Sequence, residues 1–218
     1  MEMKMQKFKR KLTIAGILLS MFVAWTAALR LLDVQPIGPE GTSVGFATVN
    51  GFVHHLTAVD WDLYVITDLL GLIPLAVCLG FGILGLYQWV TRKRLRMVDR
   101  SILILGGFYV VVMAAFAFFE MIVINYRPVL INGNLEASYP SSTTMLVLCV
   151  MPTLWMQIRN RTKSVTVKTV SAIIIFGFVA FMVIGRLLSG VHWFTDIVGG
   201  GLLSAGLVMM YDCFVDLN

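Results

Sequence analysis

The chain has 218 residues, of which 58% are apolar and 13% charged, and that charged share is about half of what soluble domains carry. Together with a mean hydropathy of +0.85, this composition excludes a disordered chain, a nucleic-acid-binding arm and an ordinary cytosolic enzyme. It indicates a multi-span membrane protein. The net charge of +5 allows an anionic partner, and the placement of the charges decides that question.

Six apolar segments are long enough to cross a hydrocarbon core, which takes about 20 helical residues. In chain order they cover residues 12–32, 63–90, 101–124, 142–158, 169–188 and 193–214. The fourth is the shortest and contains Pro152, so its end is the least defined. No run alternates apolar and polar residues with a period of two. We therefore predict an all-α, polytopic protein that forms a single domain over residues 1–218.

The basic residues predict the orientation of these spans. Five precede the first span, five lie between the second and third, and four lie between the fourth and fifth. The positive-inside rule places these fourteen residues, and with them both termini, on the cytoplasmic side of the plasma membrane. They are mainly a topology signal, with a weak attraction to anionic membrane lipids, and they do not indicate nucleic acid. We interpret the first segment as an uncleaved anchor, because its removal would break the charge alternation.

The long outer loop, residues 33–62, carries two weaker predictions. Residues 47–57 are expected to form a short helix on the membrane surface. His54 and His55 have no third ligand at metal spacing, so we expect solvated or interfacial histidines and no metal. The cysteines lie inside spans and are expected to pack as apolar side chains.

Polar residues collect at the outer ends of the last four spans. They are two arginines, a hydroxyl cluster, a histidine and a carboxylate: Arg127, Ser141, Ser142, Arg186, His192 and Asp196. Ionisable groups at a membrane boundary are costly and usually functional. Singly, each has a structural explanation as a membrane anchor, a helix cap or a local hydrogen-bonded pair. Their convergence on one face favours a functional site.

These residue types suit an anionic phosphate. The arginine fork matches phosphate oxygens, and Pro140 followed by hydroxyl residues is typical of a first helical turn, where free amides favour a phosphate. His192 and Asp196 are four residues apart and are expected on one helix face. The carboxylate would then orient the imidazole, and its other nitrogen would be free to attack phosphorus.

The pattern resembles the type 2 phosphatidic acid phosphatase superfamily, whose motifs are Lys-x6-Arg-Pro, Pro-Ser-Gly-His and Ser-Arg-x5-His-x3-Asp. The third motif is nearly intact as Gly185-Arg186-x5-His192-x3-Asp196, and the others correspond to Glu120-x6-Arg127-Pro128 and Pro140-Ser141-Ser142-Thr143. The resemblance covers about residues 62–214. It implies a bundle of six transmembrane helices with the vanadium haloperoxidase-like fold.

The resemblance also implies an activity, that of a phosphatase without metal or cofactor acting on lipid phosphates or polyprenyl diphosphates. His192 would form a phosphohistidine intermediate, and Asp196 would orient and stabilise it. Arg127, Arg186 and the amides around Ser141 and Ser142 would bind the phosphate on the outer side of the membrane. The resemblance leaves the oligomeric state undefined.

Three positions depart from the family pattern. Gly185 replaces a serine, which is expected to be mild. Glu120 replaces a lysine that binds phosphate, and Thr143 replaces the histidine that protonates the leaving group. A positioned acid contributes about 10²–10⁴-fold in rate, and a lipid alkoxide needs it more than a departing phosphate does. We therefore expect a preference for a diphosphate, such as a polyprenyl diphosphate.

Alternatives remain open for the role of Glu120 and for the overall function. Glu120 lies two helical turns before Arg127, so it either pairs with an arginine, which we favour, or holds a proton as a substitute acid. A catalytically impaired relative that binds lipid phosphates in a regulatory or partner role is the main alternative function, and a lipid phosphotransferase is a variant. A transporter is disfavoured because the sequence shows no inverted repeat, although Asp68 lies within a span.

Overall fold

The computed structural model describes residues 2–216, and these residues form eight α-helices and no β-strand. The helices are α1 Glu2–Leu31, α2 Ala47–Thr57, α3 Trp61–Leu70, α4 Leu72–Arg92, α5 Arg100–Met121, α6 Ser142–Arg161, α7 Val165–Leu188 and α8 Phe194–Asp216. Short 3-10 turns cover Pro39–Gly41 and Leu95–Met97. The predicted all-α class is confirmed.

The predicted spans correspond to helices of the bundle. Among residues 2–216, five segments are long and apolar enough to cross a membrane, namely α1, α3 with α4, α5, α7 and α8. The predicted fourth span is α6, which is less apolar because it contains Thr144, Thr153 and Gln157. These side chains are buried in the protein. Since α6 packs between α4, α5, α7 and α8, its composition is set by helix neighbours rather than by lipid.

The predicted second span is interrupted near its outer end. Helix α3 ends at Leu70 and α4 begins at Leu72, and the Gly71 amide donates to the Thr67 and Asp68 carbonyls at 3.1 and 3.0 Å. Pro74 has no amide hydrogen to donate to the Leu70 carbonyl, which accounts for the break. Asp68 therefore lies on α3, one turn before the break.

Helix α1 is an integral part of the bundle. It packs along α8, and a Cβ at Gly206 of α8 would lie 2.7 Å from Leu19 Cδ2, so any larger residue there would force the Leu19 side chain to shift. Lys11 forms ion pairs with Asp212 and Asp216 at the predicted cytoplasmic end. Near the other end, Trp25 Nε1 donates to the Thr195 carbonyl. These contacts attach α1 to α8 along most of its length.

The helix predicted over residues 47–57 is confirmed as α2. Its buried Asn50 donates to Thr195 Oγ1 at 2.9 Å, which attaches α2 to the outer end of α8. His55 is exposed, but His54 is half-buried, with its ring 5.5 Å from that of Trp193. Burial lowers the pKa of His54. His55 is thus exposed, as expected of a solvated or interfacial histidine, and His54 is half-buried against Trp193, which an interfacial histidine can also be.

Candidate functional site

The two predicted arginines meet at the predicted nucleophile. Arg127 follows α5, Arg186 lies in the last turn of α7, and His192 lies in the loop before α8. Nη1 of Arg127 and Nη2 of Arg186 are each 3.1 Å from His192 Nε2. Arg186 and His192 are almost fully buried. Two arginines that are 59 residues apart in sequence thus contribute donors to one nitrogen atom.

The electrostatics of this contact favour a neutral imidazole. Burial and the positive charges of Arg127 and Arg186 hold the pKa of His192 well below its ordinary value. Because guanidinium groups only donate hydrogen bonds, Nε2 must be the acceptor and Nδ1 carries the proton. Nε2 therefore presents its lone pair to the arginines, at the place where an anion would sit.

Asp196 lies behind the imidazole. Its Oδ2 is 3.7 Å from His192 Nδ1, which is beyond ordinary hydrogen-bond length. The same oxygen accepts the Trp193 amide at 2.8 Å and the Ser138 hydroxyl. Since His192 precedes α8, the two residues do not share a helix face as predicted, and the 189–193 loop brings them together instead. The carboxylate is fully buried, and these two donors hold it beside the ring.

The second motif also has a structural role, which the sequence did not reveal. Helix α6 begins at Ser142, as the proline and hydroxyl residues predicted. The Ser141 amide, however, donates to the Asp196 carbonyl at 3.1 Å, so it joins the two loops and is not a free phosphate donor. Ser138, three residues earlier, bonds the Asp196 carboxylate. The feature of the sequence that could have indicated this role is the hydroxyl residue just before the motif.

Thr143 and Glu120 lie beside the cluster rather than in it. Thr143 and Ser142 line a cavity of about 290 Å³ between the outer ends of α3, α4, α5 and α6. Glu120 is exposed and borders a separate small crevice. Within residues 2–216 it forms no ion pair, so the favoured prediction that it pairs with an arginine is wrong. Arg127 Nε instead contacts Glu136 Oε2 at 3.2 Å.

The end of α5 explains this difference. The two-turn spacing between Glu120 and Arg127 places them on one face only if the helix continues to Arg127. Helix α5 ends at Met121, whereas the sequence predicted a span to residue 124. The chain then turns, and the Arg127 amide donates to the Glu136 carbonyl at 3.0 Å. The acidic partner of Arg127 therefore comes from the returning loop.

Arg186 has an acidic neighbour that the sequence did not assign to the site. Asp68 Oδ1 is 3.7 Å from Arg186 Nη1, and that nitrogen also donates to Thr67 Oγ1 at 3.4 Å. The guanidinium carbon lies 5.1 Å from the centre of the Tyr64 ring. A carboxylate inside a predicted span was the feature of the sequence that pointed to Asp68. Its partner could not be predicted, because it depends on the packing of α3 against α7.

Comparisons with known proteins agree with this architecture. The family model of the PAP2 superfamily matches residues 76–217. Among solved structures, the chain is similar to the crystal structure of the first transmembrane PAP2 type phosphatidylglycerolphosphate phosphatase from Bacillus subtilis, with 20% identity and a TM-score of 0.60. That match covers 93% of this chain and 96% of the other, and at this identity it concerns the fold. Comparison with the curated proteins finds no match.

Proposed function

Because the chain belongs to the PAP2 superfamily, we propose that it is a membrane phosphatase that removes a phosphoryl group from a lipid-linked phosphate or diphosphate. The observation that carries this proposal is the buried His192, whose Nε2 lies 3.1 Å from both Arg127 and Arg186. A neutral nitrogen nucleophile between two fixed guanidinium groups is suited to attack phosphorus.

The first chemical step follows from this geometry. The substrate phosphate takes the place between the arginines and accepts their hydrogen bonds, which leaves Nε2 free to attack. As the P–N bond forms, the imidazole becomes positively charged, and the Asp196 carboxylate beside Nδ1 stabilises that charge. The leaving group departs with the electron pair of the broken P–O bond. The arginines spread the negative charge of the transition state.

A lipid substrate is supported by apolar surface next to the site. The cavity that contains Thr143 is otherwise lined mainly by apolar side chains of α4, α5 and α6. It shares Met113 with a second cavity of about 620 Å³ that continues between α4 and α5. A phosphate head at the arginines would therefore have space for an apolar tail beside it, towards the lipid.

A diphosphate head is supported by Thr143. A threonine hydroxyl cannot replace the histidine acid of the family motif at neutral pH, so an alkoxide leaving group would depart unprotonated. A phosphate leaves far more readily. We infer that a polyprenyl diphosphate is the preferred substrate and that the site faces the outer side of the plasma membrane.

The test is phosphate release by the purified protein from a polyprenyl diphosphate and from a phosphatidic acid. We expect the diphosphate to react faster by about the 10²–10⁴-fold that a positioned acid contributes. His192→Ala should abolish release, whereas His55→Ala, a change at an exposed histidine, should leave it unchanged. Equal rates for the two substrates would refute the diphosphate preference.

A binding role is the second candidate, and the changes at Glu120 and Thr143 favour it. It predicts that wild type and His192→Ala both release no phosphate but bind lipid phosphates. The retained His192 and Asp196, both buried in the protein, favour the enzyme, because binding alone does not require a nucleophile and an orienting carboxylate. A phosphotransferase would show phosphoryl transfer to an added lipid alcohol in the same assay.

A further inference from the structure

Asp68 is a carboxylate at the edge of the arginine site with no role in the first chemical step. Its Oδ1 lies 3.7 Å from Arg186 Nη1, and the other terminal nitrogen of that guanidinium lies 3.1 Å from His192 Nε2. One arginine therefore connects Asp68 to the nucleophile. The Asp68 side chain is 60% exposed, and it lines the 290 Å³ cavity with Ser142 and Thr143.

A purely supporting role explains Asp68 poorly. Arg186 is already held by the Thr67 hydroxyl and by the Tyr64 ring. A carboxylate beside an anion site also cancels part of the positive charge that binds phosphate. A charged residue inside a membrane span is costly and is usually retained for function. Asp68 is open to the cavity and lies next to the phosphate-binding arginine. A group in this position can act on a solvent molecule.

We propose that Asp68 is the general base of the second step, in which water resolves the phosphohistidine; this assignment rests on the proposed function. The water oxygen forms a bond to phosphorus while the P–Nε2 bond breaks. The electron pair of the broken P–Nε2 bond returns to His192. The proton of the attacking water passes to Asp68 and then to solvent. A side-chain carboxylate that is open to the cavity is the kind of group that can accept this proton and release it to solvent.

This assignment complements the change at Thr143. In a reaction with a diphosphate, the first step needs no acid because phosphate is the leaving group. The second step still requires removal of a proton from water, and a threonine hydroxyl cannot accept it at neutral pH. Asp68 lines the same cavity as Thr143 and supplies a carboxylate there.

The test uses full-length protein in detergent with a polyprenyl diphosphate labelled at the terminal phosphate. Asp68→Asn keeps the size and polarity of the side chain but cannot accept the proton. We expect turnover to fall by about 10²–10⁴-fold, the usual contribution of a positioned base, while labelled phosphohistidine accumulates in a burst close to one equivalent. Asp68→Glu, which keeps the carboxylate, should retain part of the turnover without accumulation.

The matched control is Asp62→Asn, because Asp62 is an exposed carboxylate on the same helix and should behave as wild type. Loss of turnover in Asp68→Asn without accumulation of phosphoenzyme would overturn the proposal, since it would indicate that Asp68 only positions Arg186. Unchanged turnover would overturn it as well. If wild type neither forms phosphohistidine nor releases phosphate from any lipid, the proposed function itself fails.

Discussion

His192 combines two properties that a nucleophile requires, a free lone pair and a fixed orientation. The arginines that we propose as the phosphate ligands also keep the imidazole neutral, because their positive charges and the burial of the ring lower its pKa. An anion bound between the arginines would offset part of their charge and so reverse part of this lowering. In the proposed phosphoenzyme the ring would carry a positive charge that Asp196 can stabilise from the Nδ1 side. The resting site and the loaded site thus favour different charge states of one residue.

The pH dependence of the rate should report this coupling. The neutral imidazole is the active form, so kcat/KM of wild type should stay high as the pH falls through about 6.5, the ordinary histidine value, and decline only below it. Arg127→Gln removes one of the charges that lower the pKa, so the acidic limb should move to higher pH. Loss of this donor should also reduce kcat/KM by roughly 10²–10³-fold.

The matched control for this profile is Arg127→Lys, which keeps the positive charge but loses the fork. It should also be slow, with its acidic limb where wild type has it. An acidic limb that stays in place in Arg127→Gln would show that the arginine does not control the protonation of His192.

At the level of the helices, the contact between α3 and α7 depends on Gly185. A Cβ at this position would lie 2.8 Å from Thr67 Cγ2, which is closer than real side chains approach. Thr67 is fully buried, and its hydroxyl donates to the Leu63 and Tyr64 carbonyls, so its rotamer is fixed. The serine of the family motif would not fit here without a shift of α3. Gly185 therefore belongs to the same local arrangement as the contact between Asp68 and Arg186.

Restoring the family serine should consequently be harmful. Gly185→Ser is expected to destabilise the protein by about 1–3 kcal/mol, as overpacked cores are, and to reduce phosphate release by displacing Arg186. Thr67→Ser removes Cγ2 and keeps the hydroxyl that Arg186 contacts. The double variant Thr67→Ser/Gly185→Ser should regain most of the loss, and thermal unfolding in detergent measures this non-additivity. Strictly additive effects of the two changes would contradict the steric explanation.

Across the whole molecule, the sequence predicted what depends on hydropathy and on residues at span ends. It located the long helices of the bundle, helix α2 and the convergence of Arg127, Arg186 and His192, because alternate spans must return their ends to one side. It could not predict contacts that depend on how helices end or which helices pack together. Because α5 ends before Arg127, Glu136 replaces Glu120 as the partner of Arg127. Because α3 packs against α7, Asp68 reaches Arg186.

Orientation is the remaining property of the whole molecule, and it decides which membrane face supplies the substrate. The positive-inside rule predicts that the loop between α6 and α7 lies in the cytoplasm, so the site and the loop between α5 and α6 should face outward. Single cysteines at the exposed positions Asn132 and Lys163, in a chain without Cys78, Cys149 and Cys213, would report the two sides. A membrane-impermeant maleimide applied to intact cells should label position 132 and should reach position 163 only after lysis. The reverse pattern would place the arginine site in the cytoplasm and exclude an outer-leaflet substrate, because the site and residue 132 lie on the same side of the bundle.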